Sequence, residues 1–237
     1  MEANYKKKSL FIKRRFYRRL FVLTVLTITI TIISLLVFMK CSPDYIFTIC
    51  IDPGHGGYDS GAVNQTYKVN EKDIVLDISL KLGEILKKKN VKVIYTRKKD
   101  KIPWKNQKES LKGRCKISNK SNADIFISIH ANNFIKSKDV RGVEVWCRFE
   151  NTEAEVLAKK ISNKLSSIGY TKNRGLKYER DRPLYVLRNT KAISVLVELG
   201  YLSNPQDIEF LMSEEGKIQC AKSIGEAIMD YYSRKND

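Results

Sequence analysis

The 237-residue chain contains two histidines, His55 and His130, and both follow apolar runs that read as β-strands. His55 lies in Asp52-Pro53-Gly54-His55-Gly56-Gly57, directly after the run at residues 45–51. His130 lies in Ser128-Ile129-His130-Ala131-Asn132-Asn133, after the run at 124–129. In open α/β sheets the loops beyond the carboxyl ends of the strands line the ligand crevice, and glycines around His55 let the backbone approach a ligand closely. Two imidazoles so placed are either metal ligands or packed strand-end side chains, and placement alone leaves both readings open. A metal site needs further donors, and hydrolysis at one needs a base. Glu71 opens a helix after the His55 loop, where a carboxylate also complements the helix dipole. Glu198 interrupts the apolar run Val195-Leu196-Val197-Glu198-Leu199. A carboxylate there is metal-bound, proton-carrying or paired with a cation, because an unpaired buried charge is too costly.

The elements that carry these residues alternate between strand and helix. After the strand at 45–51 come Pro53 and a glycine-rich loop, then a helical stripe at 74, 75, 78, 82, 85 and 86 with Asn70 as its N-cap. Strands are expected at 91–95, 124–129, 142–149, 184–187 and 194–199. Helices are expected at 110–118, 152–168, 204–212 with Pro205 at the first position, and 214–232. This pattern predicts a single α/β domain with a central mixed, partly parallel sheet flanked by helices.

The charge is uneven. Lys and Arg number 44 against 26 Asp and Glu, a net +18. Residues 1–19 carry eight of the basic residues and one acid, Glu2, and residues 20–39 then run without a charge. A helix of about 20 residues spans roughly 30 Å, the thickness of a bilayer core. The expected organisation is a basic cytoplasmic tail (1–19), a transmembrane signal anchor (20–39), a linker (40–44) and a folded domain (45–237) outside the cytoplasm. Removal as a signal peptide is the alternative. The apolar run exceeds a signal peptide's core, and no small-residue cleavage site follows it. Residues 41–237 keep a net charge of +10, which suits an anionic polymer outside the membrane such as cell wall. Nucleic acid would lie on the wrong side. Five cysteines without regular spacing exclude a dense disulfide framework.

The sequence resembles the zinc-dependent N-acetylmuramoyl-L-alanine amidases. The resemblance rests on DPGHGGYDSGA (52–62), Glu71-Lys72-Asp73, VIYTRKKD (93–100), RCKISNKSNADIFISIHANN (114–133), GVEV (142–145), NRG (173–175) and VLVELGYLSN (195–204), in family order over residues 47–232. It departs at Ile193-Ser194, where the family often has proline. The resemblance implies that His55, Glu71 and His130 hold Zn2+ and that Glu198 is catalytic, taking the proton of the attacking water and returning it to the leaving L-alanine amine. The bond cut joins the lactyl group of muramic acid to L-alanine in peptidoglycan. Arg174 and Arg114 are weaker candidates for contacting the substrate, Arg174 by gripping a peptide-stem carboxylate with a structural salt bridge as the equal alternative, and Asn132 for supporting the His130 loop.

The basic anchor and short length most resemble the germination-specific members of spore formers. That implies action in the spore cortex, in the intermembrane region of the forespore, as a step towards muramic-δ-lactam. With no separate wall-binding segment, placement would fall to an accessory protein, which could also load zinc, or to the anchor itself. The competing readings are a zinc peptidase that trims peptidoglycan stems and a non-catalytic wall-binding protein.

Overall fold

A computed structural model describes residues 2–40 and 45–236. Apart from Lys40, the linker expected at 40–44, including Cys41, lies outside the described residues. The chain forms two compact units, Met1–Asp44 and Tyr45–Asp237.

The first unit is one helix, α1 (Glu2–Lys40). Its stretch Lys13–Leu35 is long and apolar enough to cross a membrane, by length and composition. The threonines within it return their hydroxyls to the preceding turn: Thr24 Oγ1 donates to Phe21 O at 2.8 Å and Thr31 Oγ1 to Thr27 O at 2.9 Å. Polar side chains bonded in this way make small demands on an apolar surrounding.

In the second unit the chain runs through β1 (Thr48–Pro53), β2 (Val63–Asn64), β3 (Val69–Asn70), α2 (Glu71–Lys87), β4 (Lys92–Tyr95), α3 (Gln107–Lys120), β5 (Ile125–Asn132), β6 (Val143–Cys147), α4 (Glu153–Ser166), β7 (Asn173–Tyr178), α5 (Tyr185–Asn189), β8 (Ile193–Tyr201), α6 (Pro205–Met212) and α7 (Glu214–Asn236). Six strands form one sheet in the order β4-β1-β5-β8-β6-β7, and β2 pairs with β3. All pairings in the large sheet are parallel except β6 with β8. The expected α/β architecture is therefore present, with one antiparallel seam.

Side chains alternate across a strand, and here the two faces differ. Ile49, Ile51, Ile125, Ile127, Ile129, Val195 and Val197 join the main core with α2, α4 and α7. The other face carries Cys50, Phe126, Trp146 and Leu196 in a smaller cluster, closed by Cys115 of α3 and by Val186 and Leu187 of α5. The short helices leave part of that face uncovered, and the polar residues Asp52, Ser128, His130 and Glu198 share its register.

Helix starts follow their capping residues. Asn106, Thr152 and Asn204 accept from the backbone N–H of Glu109, Glu155 and Asp207. Asn70 occupies the N-cap of α2, but its side chain donates to Asp73 Oδ2 instead of capping.

Residues 184–187, expected as a strand, instead lead into α5. An apolar run of four has no resolvable period. The sheet position beside β6 is taken by β7, so the run packs on the sheet face with Leu184, Val186 and Leu187 in the smaller cluster. β7 itself was not expected as a strand. It is an edge strand without buried residues, and Arg174 and Lys177 break any apolar alternation.

Cys50, Cys115, Cys147 and Cys220 are free and buried. Burial pushes the thiols of Cys147 and Cys220 up to about 12. These four should resist iodoacetamide in the native full chain at pH 8 and react together in denaturant. Peptide mass spectrometry checks this, and native labelling or a disulfide among them would contradict it.

Candidate metal centre and active-site cleft

Parallel pairing of β1 with β5 and of β5 with β8 brings three carboxyl ends together, with Pro53 opposite Ile129 and His130 opposite Glu198. Glu71, at the first turn of α2, enters the same space. His55 Nε2 lies 3.1 Å and His130 Nδ1 2.9 Å from Glu71 Oε1. One ligand atom from each of the three residues lies within 4.8 Å of the others, the single group of three such donors among the described residues. Glu71 is held from its own side as well: Oε1 accepts from Ala131 N and Oε2 from Ala62 N. His55 Nδ1 lies 2.9 Å from Asp59 Oδ2, which fixes the ring and turns Nε2 inward.

Two glycines permit this approach. A Cβ on Gly54 would run into the His130 ring, and one on Gly61 would stand 2.5 Å from Glu71 Oε2 and 2.7 Å from the His55 ring. Gly61 also has φ +65°, a conformation that side chains rarely adopt. His55 itself has φ +58°, so the loop must hold it there against an intrinsic preference.

The hold is electrostatic. Arg114 donates to Pro53 O at 2.8 Å and His55 O at 2.5 Å, and Arg97 donates to Pro53 O at 3.0 Å and Gly54 O at 2.7 Å. Both arginines are buried. Asp52, also buried, accepts from Arg114 Nη1 at 2.6 Å, Thr96 Oγ1 at 2.5 Å and Ser128 Oγ at 2.7 Å. Burial alone would raise its pKa, but the Arg114 charge and these hydrogen bonds hold it below the ordinary carboxylate range.

The donors face a cleft of about 540 Å³, lined also by Asp59, Arg114, Asn132, Arg182, Tyr185 and Glu198. Two imidazoles and a carboxylate that converge on a cleft fit a divalent metal with one side left for solvent or substrate. Burial opposes protonation of His55, but Glu71 and Asp59 outweigh it and raise its pKa to about 9. Glu198 stands beside the three donors, 6% exposed, and its Oε2 is buried without a hydrogen-bond partner. Burial pushes its carboxyl up to about 7: the charge of His130 opposes the rise and that of Glu71 adds to it.

The family profile of the N-acetylmuramoyl-L-alanine amidases matches residues 49–230. The chain belongs to that family. Similar proteins include the germination-specific N-acetylmuramoyl-L-alanine amidase of Bacillus subtilis, 32% identical over 197 residues, 80% of this chain and 81% of the relative. A cell wall amidase of Bacillus anthracis is 35% identical over 79% of this chain, but the chain spans 36% of that relative's length. Among solved structures, the CwlD amidase of Clostridioides difficile in complex with the GerS lipoprotein is 34% identical with a TM-score of 0.74, over 79% of this chain and 99% of that one. An N-acetylmuramoyl-L-alanine amidase from the same species is 31% identical, with a TM-score of 0.72 over 82% and 100%.

Within this amidase fold the other residues singled out from the sequence fall in different places. Arg114 lines the cleft, but its guanidinium is committed to Asp52, Pro53, His55 and Ser110. Arg174 is absent from the cleft lining and pairs with Glu144 Oε1 at 2.6 Å, which also accepts from Tyr201 Oη at 2.8 Å. Glu144 is the register partner of Glu198 on β6, so this pairing neutralises a second acid beside the first. Asn132 lines the cleft and accepts from Asn133 N. Sequence reasoning missed Asp59 as an orienting group, the Arg97 clamp and Arg182. For Arg97 a signal existed: a Thr-Arg pair at the end of a strand adjacent to β1.

Replacing Arg114 with leucine should leave Asp52 buried without its cation, which costs about 3–5 kcal/mol. A fall in melting temperature of about 6–20 °C is expected at pH 7. Because the folded pKa of Asp52 is depressed, its contribution is present above the unfolded value near about 4 and is lost as pH falls through the folded one. The gap between wild type and Arg114→Leu should therefore narrow in acid. Thermal melts across pH check both, and a variant as stable as wild type would contradict the clamp.

Proposed function

We propose that this chain is a zinc-dependent N-acetylmuramoyl-L-alanine amidase that releases peptide stems from muramic acid in peptidoglycan. The observation that carries the reading is the convergence of His55, Glu71 and His130 on a cleft beside the buried, unpartnered Oε2 of Glu198. His55, Glu71 and His130 would hold the metal. A zinc ion so held supplies Lewis acidity to the scissile carbonyl and to water.

The chain's own groups do the rest. The Glu198 carboxylate takes a proton from the attacking water and passes it to the departing amine of L-alanine. An oxygen without a competing hydrogen bond is free to make both transfers. Asp59 keeps the His55 ring aimed, and Ala62 N and Ala131 N keep Glu71 from rotating away. The Arg97 and Arg114 clamps preserve the loop between turnovers.

The setting follows from the first unit and from the relatives. With eight basic residues at positions 1–19, ahead of the uncharged run at 20–39, α1 anchors the protein with its tail in the cytoplasm and residues 45–237 outside. Likeness to the germination-specific amidase of B. subtilis supports action in the spore cortex, upstream of muramic-δ-lactam formation. The complex of the C. difficile amidase with a lipoprotein supports an accessory partner for placement or zinc loading.

The test is mass spectrometry of peptidoglycan digested by the full chain in detergent, with and without zinc. Free stems beginning with L-alanine are expected. Loss of a terminal amino acid instead would mark a peptidase.

His55→Ala and His130→Ala should each lose most of their zinc, since the chain has no third imidazole. Metal analysis of purified protein checks this, and full occupancy in His130→Ala would overturn the ligand set.

Glu198→Ala should keep its zinc and its melting temperature while cleavage falls by about 10²–10⁴. A Glu198 that served only as a structural charge would give the opposite pattern, lost stability with cleavage retained per folded molecule.

A further inference from the structure

Two arginines line the cleft, and they differ in what they are bonded to. Arg114 is buried and makes four hydrogen bonds within its own chain. Arg182 is exposed on the loop between β7 and α5, and among the described residues no hydrogen bond or ion pair ties its guanidinium down. Its guanidinium lies over Trp146, 5.7 Å from the ring centroid, and its charge also acts on Glu198. Stacking on an aromatic face orients a guanidinium and leaves its N–H edge unused. That edge matches a carboxylate, which it can grip with two parallel hydrogen bonds.

The position narrows the choice. Trp146 is the register partner of Leu196, two residues before Glu198. Trp146 and Glu198 therefore share one face of the sheet near the carboxyl end of β8, and a carboxylate on the free edge of Arg182 belongs to a part of the peptide close to the bond that Glu198 attends. On the saccharide side the lactyl carboxyl is consumed in the amide itself, so the carboxylate comes from the peptide.

We infer that Arg182 is a specificity-determining residue that grips a carboxylate of the peptide close to the scissile amide. This rests on the amidase reading above. The carboxylate is either an acidic side chain or the peptide's own terminus, and the test separates them.

Three synthetic substrates carry a lactyl group on an amino-terminal alanine. The second residue is glutamate with an amidated terminus, glutamine with an amidated terminus, or glutamine with a free terminus. The zinc-loaded full chain in detergent is assayed for kcat/KM on each, alongside Arg182→Gln and Arg182→Lys. Wild type should favour a charged peptide over the neutral one by about 10- to 100-fold, and the charged peptide preferred identifies the source. In Arg182→Gln the rates should converge, at an unchanged melting temperature, and Arg182→Lys should restore part of the preference. An Arg182 that only balanced the charge of Glu198 would alter all three rates together and leave their ratios intact. Intact ratios in Arg182→Gln, or no preference in wild type, would overturn the assignment. Failure to release peptide from any of the three and from whole peptidoglycan would sink the amidase reading, and the Arg182 assignment with it.

Discussion

The cleft depends on two buried guanidiniums that hold three consecutive carbonyls. Arg97 and Arg114 together bond the oxygens of Pro53, Gly54 and His55, and Asp52 balances the charge from below. Taking these charges out of water is costly, and the cost is met only when every donor finds an acceptor. The cluster offsets much of that cost with main-chain carbonyls that a loop with positive φ leaves unpaired. Loop and clamp thus satisfy one another. His55 is held in a backbone conformation it would not choose, and its ring points at Glu71 instead of at solvent.

The sheet turns this local arrangement into a site. Its alternation sends isoleucines and valines to one face, under α2, α4 and α7, and sends Asp52, Ser128, His130 and Glu198 to the other. On that second face α3 and α5 pack over Cys50, Phe126, Trp146 and Leu196, and their residues also wall the cleft at the carboxyl ends of the strands. The same alternation places Glu144 beside Glu198. Arg174 and Tyr201 engage Glu144, while Glu198 keeps an oxygen unpartnered. Two acids of equal chemistry, one strand apart, are assigned different work by their neighbours.

Much of this is legible in the chain itself. Each histidine lies within a contiguous stretch that includes its own strand and loop, so strand, glycine and imidazole are read together. Glu198 stands out because an acid in an apolar strand needs a reason. The apolar stretch in α1 and its basic flank are properties of composition and length, which need no fold to interpret. What escapes a sequence reading is of another kind. Residues 184–187 are as apolar as a strand, and the occupancy of the sheet edge by β7 makes them a helix entrance. For Arg114 and Arg174 the sequence leaves substrate contact and structural pairing both open, and their neighbours Asp52 and Glu144 lie 62 and 30 positions away in the chain.

The sequence by itself determines which chemistry is available: two imidazoles, the carboxylates of Glu71 and Glu198, and a basic, apolar amino-terminal segment. These are set by residue type and short-range spacing, which survive in an unfolded chain. Only the tertiary structure decides which charges are spent and which are left over. Arg114 is spent inside and Arg182 is left facing the cleft, because pairing depends on distances between strands and loops that are remote in sequence. The difference between a clamp and a substrate contact is a difference of neighbours, and neighbours are assigned by the fold.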